Sequence, residues 1–457
     1  MEKYRLSPDR VLTPGMVERY LELHRADEGR KVKLHDYYRG NHAILARSFD
    51  DATKPNNRVV NPYAQYITDI ATGYFMGEPV VYGSQDEKLL NNLTQIYNYN
   101  DEASHNSDLA CDASIMGEAY ELVYLDEDLM LRFKRLEGEY GIPIYDNTVE
   151  EELLYFIRYY AETDVVGGNS VTYVEVYSRD DIKTYRRDAG AMILMDEVAH
   201  QFGLVPIVIY RNNNEGLGDF ESVIPLIDAY DKLDSDSVND MEYFADAYLK
   251  LVGMQGTTEE QIRELKRMRV MLVPEGADAA WLTKTNDDGF VEHLKTRLDN
   301  SIHKFSKCPA MTDDDFAGNA SGVAMRYKLL GLENMTSKKE RAFKKGLQRR
   351  IEIICNMLGV MGAGHDYRSI TMTFTRNIPA NLVEMADVAV KLGDLLSEKA
   401  RLELLPLDID YEQNQAEKDE ERKAGYLDYA VDDTGQLLGS EDAERSGKGF
   451  EDSGRTE

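Results

Sequence analysis

Cysteine, tryptophan and histidine are all scarce in this chain of 457 residues, which holds 3 Cys, 1 Trp and 8 His. Cys111, Cys308 and Cys355 stand far apart, so no disulfide framework is expected and the usage fits a reducing, cytosolic compartment. No two histidines lie four residues apart, which removes the helix-borne metal pair that such spacing would make. Phosphate loop, Gly-x-Gly-x-x-Gly, His-Glu-x-x-His and Gly-x-Ser-x-Gly frames are missing as well. No enzyme, cofactor or resident metal is therefore expected. Long apolar runs are also lacking. The longest, Gly203–Tyr210, falls far short of the roughly 18 residues that span a bilayer, so no membrane partner is expected. Met1-Glu2-Lys3-Tyr4-Arg5-Leu6 has no apolar core, and no secretory signal is expected there. Finally, positive charge is short: 53 Lys+Arg face 83 Asp+Glu, a net charge of −30. A protein that simply coats DNA is excluded by that balance, because phosphate affinity comes from clustered bases.

What remains is ordinary globular material, 42% hydrophobic and 30% charged, at a length that suggests about three structural units. The fold class expected is α+β. Thr13-Pro14 reads as an N-cap with Pro at the first helical position, opening a helix through Tyr20, Leu21 and Leu23. A second helix is expected over Val59–Met76, where Val60, Tyr63, Ile67, Ile70 and Tyr74 keep helical spacing. From Ala119 to Tyr210 the pattern is a largely antiparallel meander, with a hairpin about Asp126-Glu127-Asp128 and strands at Leu153–Tyr160, Val171–Tyr177, Ile182–Arg186 and Leu204–Tyr210. Glu221–Lys250 then reads as one long acidic amphipathic helix. A compact α/β insert with a capping-box start at Thr257-Thr258-Glu259-Glu260 follows, and strands are expected at Val270–Val273 and Ala280–Lys284. Phe290–Phe305 returns as helix. Ser321–Val360 is the longest element, and Gly331 and Gly346 within it mark places where a bend is tolerable. A strand at Ser369–Thr375 and a last helix ending near Leu405 come next. Past about Gly425 the chain is acidic, with more Gly and Ser, and reads as a solvated tail.

Three features carry candidate chemistry. Asp313, Asp314 and Asp315 could bind a divalent ion, although adjacent aspartates in a loop are commonly just solvated turn residues. Lys338–Arg350 concentrates bases, among them Lys338, Lys339, Arg341, Lys344 and Lys345. Such a stretch is usually a solvated face or an ion-pair partner for acids. The insert's charged helix carries Glu259, Glu260, Arg263, Lys266 and Arg267, with the single Trp281 beyond it; Trp281 serves equally well as the insert's own core residue.

The order of elements, together with certain residues, resembles a known family. Asn57-Arg58-Val59-Val60-Asn61-Pro62-Tyr63, Ile67–Ile70 and Thr72-Gly73-Tyr74-Phe75-Met76-Gly77-Glu78-Pro79-Val80 resemble the N-terminal signature of portal proteins of long-tailed double-stranded DNA bacteriophages. Phe316-Ala317-Gly318-Asn319-Ala320-Ser321-Gly322-Val323-Ala324-Met325-Arg326-Tyr327-Lys328-Leu329 resembles that family's tunnel loop and the start of its tunnel helix. Phe202-Gly203-Leu204-Val205-Pro206 with the turn Asn212–Asn214 also fits. The resemblance covers about residues 10 to 420.

It implies a dodecameric ring at one capsid vertex, in the virion, assembled in the host cytoplasm, through which a packaging ATPase (terminase) drives duplex DNA. Head-completion or tail-adaptor proteins and capsid or scaffold proteins are the implied further partners. Residues 1–220 would form the wing, 221–253 and 290–308 the stem, 254–289 the clip and 309–320 the tunnel loop. Residues 321–365 would be the tunnel helix, 366–379 a wing strand, 380–424 the crown and 425–457 the acidic tail. On this reading Asp313, Asp314, Asp315, Asn319 and Ser321 face the DNA, and the clip residues dock partners. The basic stretch would touch phosphates or a neighbouring subunit's acidic stem. A metal-dependent nuclease using Asp313–Asp315 and an assembly scaffold unrelated to DNA are the alternatives.

Overall fold

The computed structural model describes residues 4–51, 54–163, 170–188, 191–245, 248–252, 258, 260, 278–282, 288–311, 322–377, 390–392, 396–402 and 414–420. The chain divides into two units, Met1–Asn377 and Ile378–Glu457. In the second, a short helix Glu398–Leu402 is described, with Lys418 Nζ 2.6 Å from Glu398 Oε1.

The first unit mixes helices with largely antiparallel sheet. Helix α1 spans Pro14–Tyr38 and starts, as its Thr-Pro pair predicts, with Thr13 at the N-cap and Pro14 at the first position. Helix α2 spans Tyr63–Met76, not Val59–Met76. The reason is local: Pro62 disfavours helical φ/ψ at Asn61, and residues 57–62 take other work described below. Helices α3 (Glu87–Asn100) and α4 (Glu102–Met116) fill a stretch with no helix expected from sequence. Their signals are present nonetheless. Asp86 caps α3 by accepting from the Leu89 N–H, and Leu89, Leu93, Ile96 and Tyr97 form its buried face. Asp101, left-handed at φ 48°, turns the chain between the two helices.

The expected meander divides into two sheets. Strands β3 (Glu118–Leu125) and β4 (Leu131–Leu136) form the hairpin, and β10 (Ile207–Arg211) returns to the other side of β3, giving the order β10-β3-β4. A six-stranded sheet takes β5 (Gly141–Asp146), β6 (Leu153–Thr163), β7 (Ser170–Tyr177), β8 (Asp181–Asp188) and β9 (Ala191–Ala199) in sequence order. Its first strand is β1 (Tyr4–Leu6), parallel to β5. A three-residue strand at the terminus leaves no periodic trace in sequence.

Helix α5 runs Ile224–Ala245 after a 3-10 turn at Glu221–Val223. The expected helix to Lys250 is corrected: Tyr248–Val252 is strand β11, paired antiparallel with β12, Asp278–Leu282. Tyr248 keeps helical spacing with α5, but the run Tyr-Leu-Lys-Leu-Val is equally β-prone, and a sheet partner decides it. Helix α6 is Asp288–Ser306 and α7 is Gly322–Val360, a 39-residue helix about 60 Å long. Strand β13 (Thr371–Thr373) pairs with β2 (Val81–Gly83). The largest core joins α2, α3, α4, β3, β10 and α7 through Phe75, Leu89, Val123, Tyr210, Phe343 and Ile351. Gly346 of α7 has a packing role. A Cβ there would stand 2.5 Å from the Tyr210 ring, so glycine is what lets helix and strand approach.

Candidate functional site

The site is a set of clamps holding the two long helices, α5 and α7, to the sheet-bearing body. The first uses the residues of the N-terminal signature. Residues 57–62 form no helix and lie along α5, whose side chains at 231, 235, 239 and 242 share one face by their spacing. Asp231 Oδ1 accepts from the Asn61 N–H at 2.8 Å and from its side-chain amide at 3.1 Å. Ser235 Oγ accepts from the Val59 N–H at 2.9 Å, and Asn239 Oδ1 from the Asn57 N–H at 2.7 Å. The Asn57 amide also donates to Glu242 Oε2 at 2.6 Å. Behind them, buried His42 Nδ1 sits 2.6 Å from Asp231 Oδ2, its ring stacked on Tyr37. Arg47 donates to Asp236 Oδ1 at 2.7 Å and to the Asn57 carbonyl at 2.5 Å. An extended strap cannot pair its own backbone groups, so the helix supplies the acceptors.

The second clamp is a crossing of backbones at Ser114–Gly117 and Gly216–Asp219. Gly117 has φ +91°, and a Cβ on it would lie 2.0 Å from the Gly216 carbonyl oxygen. Only glycine fits such an approach. The Asn212 amide donates to Leu217 O at 2.9 Å and to Asp219 Oδ1 at 2.8 Å, which is the task of the asparagine turn. Arg30 of α1 grips Glu221 through both carboxylate oxygens at 2.7 Å and reaches Gly216 O at 2.9 Å. Asp219 in turn pairs with Lys339 of α7, both side chains being buried.

The third clamp is the most buried. Arg350 of α7 is fully enclosed and donates to Glu121 Oε2 and Oε1 at 3.0 and 2.7 Å, to Glu102 Oε1 at 3.0 Å and to Asn106 Oδ1 at 2.9 Å. Its guanidinium lies 4.8 Å from the Phe133 ring centre and 5.4 Å from that of Tyr210. Burial alone would raise the Glu121 carboxyl, but the Arg350 charge and the hydrogen bond from His105 outweigh it, holding the pKa at about 2. Towards the start of the same helix, Arg376 bridges Glu333 at 3.0 Å and Glu340 at 2.7 Å, and Tyr74 donates to Glu333 at 2.8 Å.

The charged stretches resolve differently from one another. Most acids from Glu221 to Glu242 have partners inside the subunit: Asp228 accepts from Tyr37, Asp234 pairs with Lys295 of α6, and Glu221, Asp231, Asp236 and Glu242 are used as above. The basic stretch separates into an inner and an outer set. Lys339 and Arg350 are buried intrachain anchors, whereas Lys338, Arg341 and Lys345 are exposed and Lys344 is half-buried. Glu260 is exposed, and Trp281 occupies β12 opposite Leu249. Asp313, Asp314, Asp315, Asn319, Ser321, Glu259, Arg263, Lys266 and Arg267 lie outside the described residues. Residues 57–63 and Asn212, quoted for family resemblance, prove to be structural clamps. The residues that complete the three clamps, Arg30, His42, Arg47, Asp219 and Glu121, escaped sequence reasoning. A related signal was readable: Lys31 stands with Val17, Leu21, His24 and Leu34 on the buried face of α1 and holds Tyr120 and the Gly138 carbonyl.

These contacts hold elements of the subunit to one another. Among the described residues no group of three or more His, Cys, Asp or Glu could hold a metal ion, and no helix is long and apolar enough to cross a membrane. The class is that of phage portal proteins. Residues 18–426 match the family described as phage portal protein, SPP1 Gp6-like, and the chain belongs to it. It is 28% identical over 400 residues to the portal protein of Clostridium phage phiCD119, covering 80% of this chain and 85% of that one. With the portal protein of Bacillus phage SPP1 it shares 24% identity over 404 residues, covering 81% and 77%. Two solved structures are also similar. A chain from the neck of an empty GTA particle has TM-score 0.41 at 15% identity, covering 76% of this chain and 90% of that one. Another, from the virion of a native gene transfer agent particle, has TM-score 0.42 at 14% identity, covering 82% and 93%. The protein is a structural portal subunit of a phage virion, and the comparisons lend nothing to the nuclease alternative.

Proposed function

We propose that this subunit closes into a homo-oligomeric ring, a dodecamer in the assembled capsid vertex, whose channel passes duplex DNA during packaging and ejection. The observation that carries this reading is the family match over residues 18–426. The clamps support it. A channel wall under load needs its long helices tied to a wide body, and α5 and α7 are tied at 231–239, at 339 and at 350 by buried or half-buried polar contacts. In this assignment α5 and α6 are the stem, residues 254–289 the clip that seats the packaging ATPase and later the head-tail connector, and 309–320 the tunnel loop. Helix α7 is the tunnel helix, residues 380–424 are the crown and 425–457 the acidic tail. Asp313, Asp314, Asp315, Asn319 and Ser321 face the DNA, repelling phosphates or sliding past them by exchangeable hydrogen bonds.

Electron microscopy of the purified chain tests the ring: class averages with rotational symmetry and a pore of at least about 20 Å, the width of a duplex, are expected. Rings or filaments without such a pore favour a scaffold unrelated to DNA. Paired cysteines near Gly318 test the loop. Crosslinking it to the neighbouring subunit is expected to stop DNA passage in a packaging reaction while leaving the ring intact; normal packaging by a fully crosslinked ring removes the moving-loop mechanism.

A further inference from the structure

Three exposed bases of α7 form a row with no partner among the described residues. Lys338, Arg341 and Lys345 follow one another at three- and four-residue steps, so they share one face of the helix and span about 10 Å along it. All three are exposed, and no ion pair or hydrogen bond ties them to any described residue. The same solvent stripe continues through Asn334 on one side and Gln348 on the other, neither of which is charged. In a chain with net charge −30, a free basic row is the anomaly that asks for a partner. The acids of α5 are not that partner, since they are already engaged within the subunit.

A matching acidic face exists elsewhere. Asp108 and Asp112 stand one turn apart on α4, about 6 Å along its axis, and Asp69 of α2 is linked to the same stretch through Tyr38, whose hydroxyl lies 3.1 Å from Asp69 Oδ1 and 3.9 Å from Cys111 Sγ. Among the described residues Arg135 pairs with both, at 3.9 Å from Asp108 and 3.4 Å from Asp112. Asp69 accepts from the Tyr38 hydroxyl, and no cation pairs with it among the described residues. Asp69 and Asp108 are exposed and carry the accessible charge of this face, while Asp112 lies largely buried behind Asp108.

We infer that the row Lys338, Arg341 and Lys345 of one subunit docks on the face Asp69, Asp108 and Asp112 of a second copy of this chain. A closed ring is built from heterologous contacts, each needing two different and complementary surfaces on the same chain. These two surfaces meet that requirement in charge. The inference rests on the ring reading and names its contact.

Charge reversal tests it, with sedimentation velocity as the readout and circular dichroism reporting the fold. The triple change Lys338→Glu, Arg341→Glu and Lys345→Glu is expected to raise the concentration needed for ring formation at least tenfold. Asp69→Lys with Asp108→Lys, both at exposed positions, should do the same. Mixing the two variant proteins, or combining all five changes in one chain, should restore rings, because every interface then again joins opposite charges. Higher salt should weaken the restored and the original contact alike. Rings unaffected by either reversal overturn the inference, as does failure of folded variants to regain rings on mixing. Intact rings with lowered DNA packaging assign the row to phosphate contact and overturn the inference too. If the unmodified chain forms no ring at any salt concentration, the ring reading itself fails along with it.

Discussion

Arg350 shows what a single residue decides in this fold. Removing a buried cation leaves its carboxylates uncompensated, whereas replacing the whole group by apolar residues can be nearly neutral. Arg350→Met is therefore expected to cost about 3–5 kcal/mol in denaturant unfolding, and adding Glu121→Gln and Glu102→Gln should recover part of it. Glu121, with its pKa near 2 against 4.5 for the free side chain, gives a pH dependence of known sign. Its stabilisation is fully present above pH 4.5 and is lost as pH falls from there towards 2. Unfolding free energies measured across that window should fall less steeply in Glu121→Gln than in the parent. Asp112 works in the opposite sense. Burial raises it to about 6 from 3.8, so the ionised form is disfavoured in the folded subunit. Asp112→Asn is expected to raise the thermal midpoint of the isolated subunit at pH 7–8, the gain vanishing below about pH 4.

At the level of elements, the strap over residues 57–62 and the helix α5 stand or fall together. The strap's donors at Asn57, Val59 and Asn61 have α5 side chains as their acceptors. Asp231 serves Asn61 and His42 at once and is fully buried. Asp231→Ala should cost on the order of 3 kcal/mol, since it orphans buried donors. The telling readout is local: amide exchange at Asn61 should accelerate well before the β3–β10 pair loses protection. Equal loss at both places would mean that the strap is no separate clamp. Gly346 illustrates the same interplay from the other side, where a poor helix former persists because Tyr210 occupies the space a Cβ would take.

For the whole molecule, the question is which end meets which partner. Helices α5 and α6, which flank the insert in sequence, pack on each other through Asp234 and Lys295, and Glu260 of the insert is exposed. Changing Glu260 and Arg263 to Ala should lower DNA packaging while leaving ring formation unchanged in the same preparation. The reverse pattern, lost rings with packaging retained by whatever rings remain, would make the insert a subunit contact instead of the motor's seat.

Periodicity and punctuation in the chain were enough to determine the helices with one-sided apolar faces and clear starts: α1 behind Thr13-Pro14, α2 up to Met76, α6, and α7 through to Val360. The family, too, was legible in residues 57–80 and 316–329, because a signature survives as local sequence. What charge does was not legible. Lys338 and Lys339 are adjacent and chemically alike, yet one faces solvent and the other is buried against Asp219, 120 residues away. Glu221–Ala245 looks in sequence like a free acidic surface, and tertiary contacts from His42, Arg47, Asn57, Asn61 and Lys295 consume most of it. A charged side chain carries no periodic mark of its partner, so which charges are spent inside the subunit and which are left for a neighbour is decided only when distant segments meet.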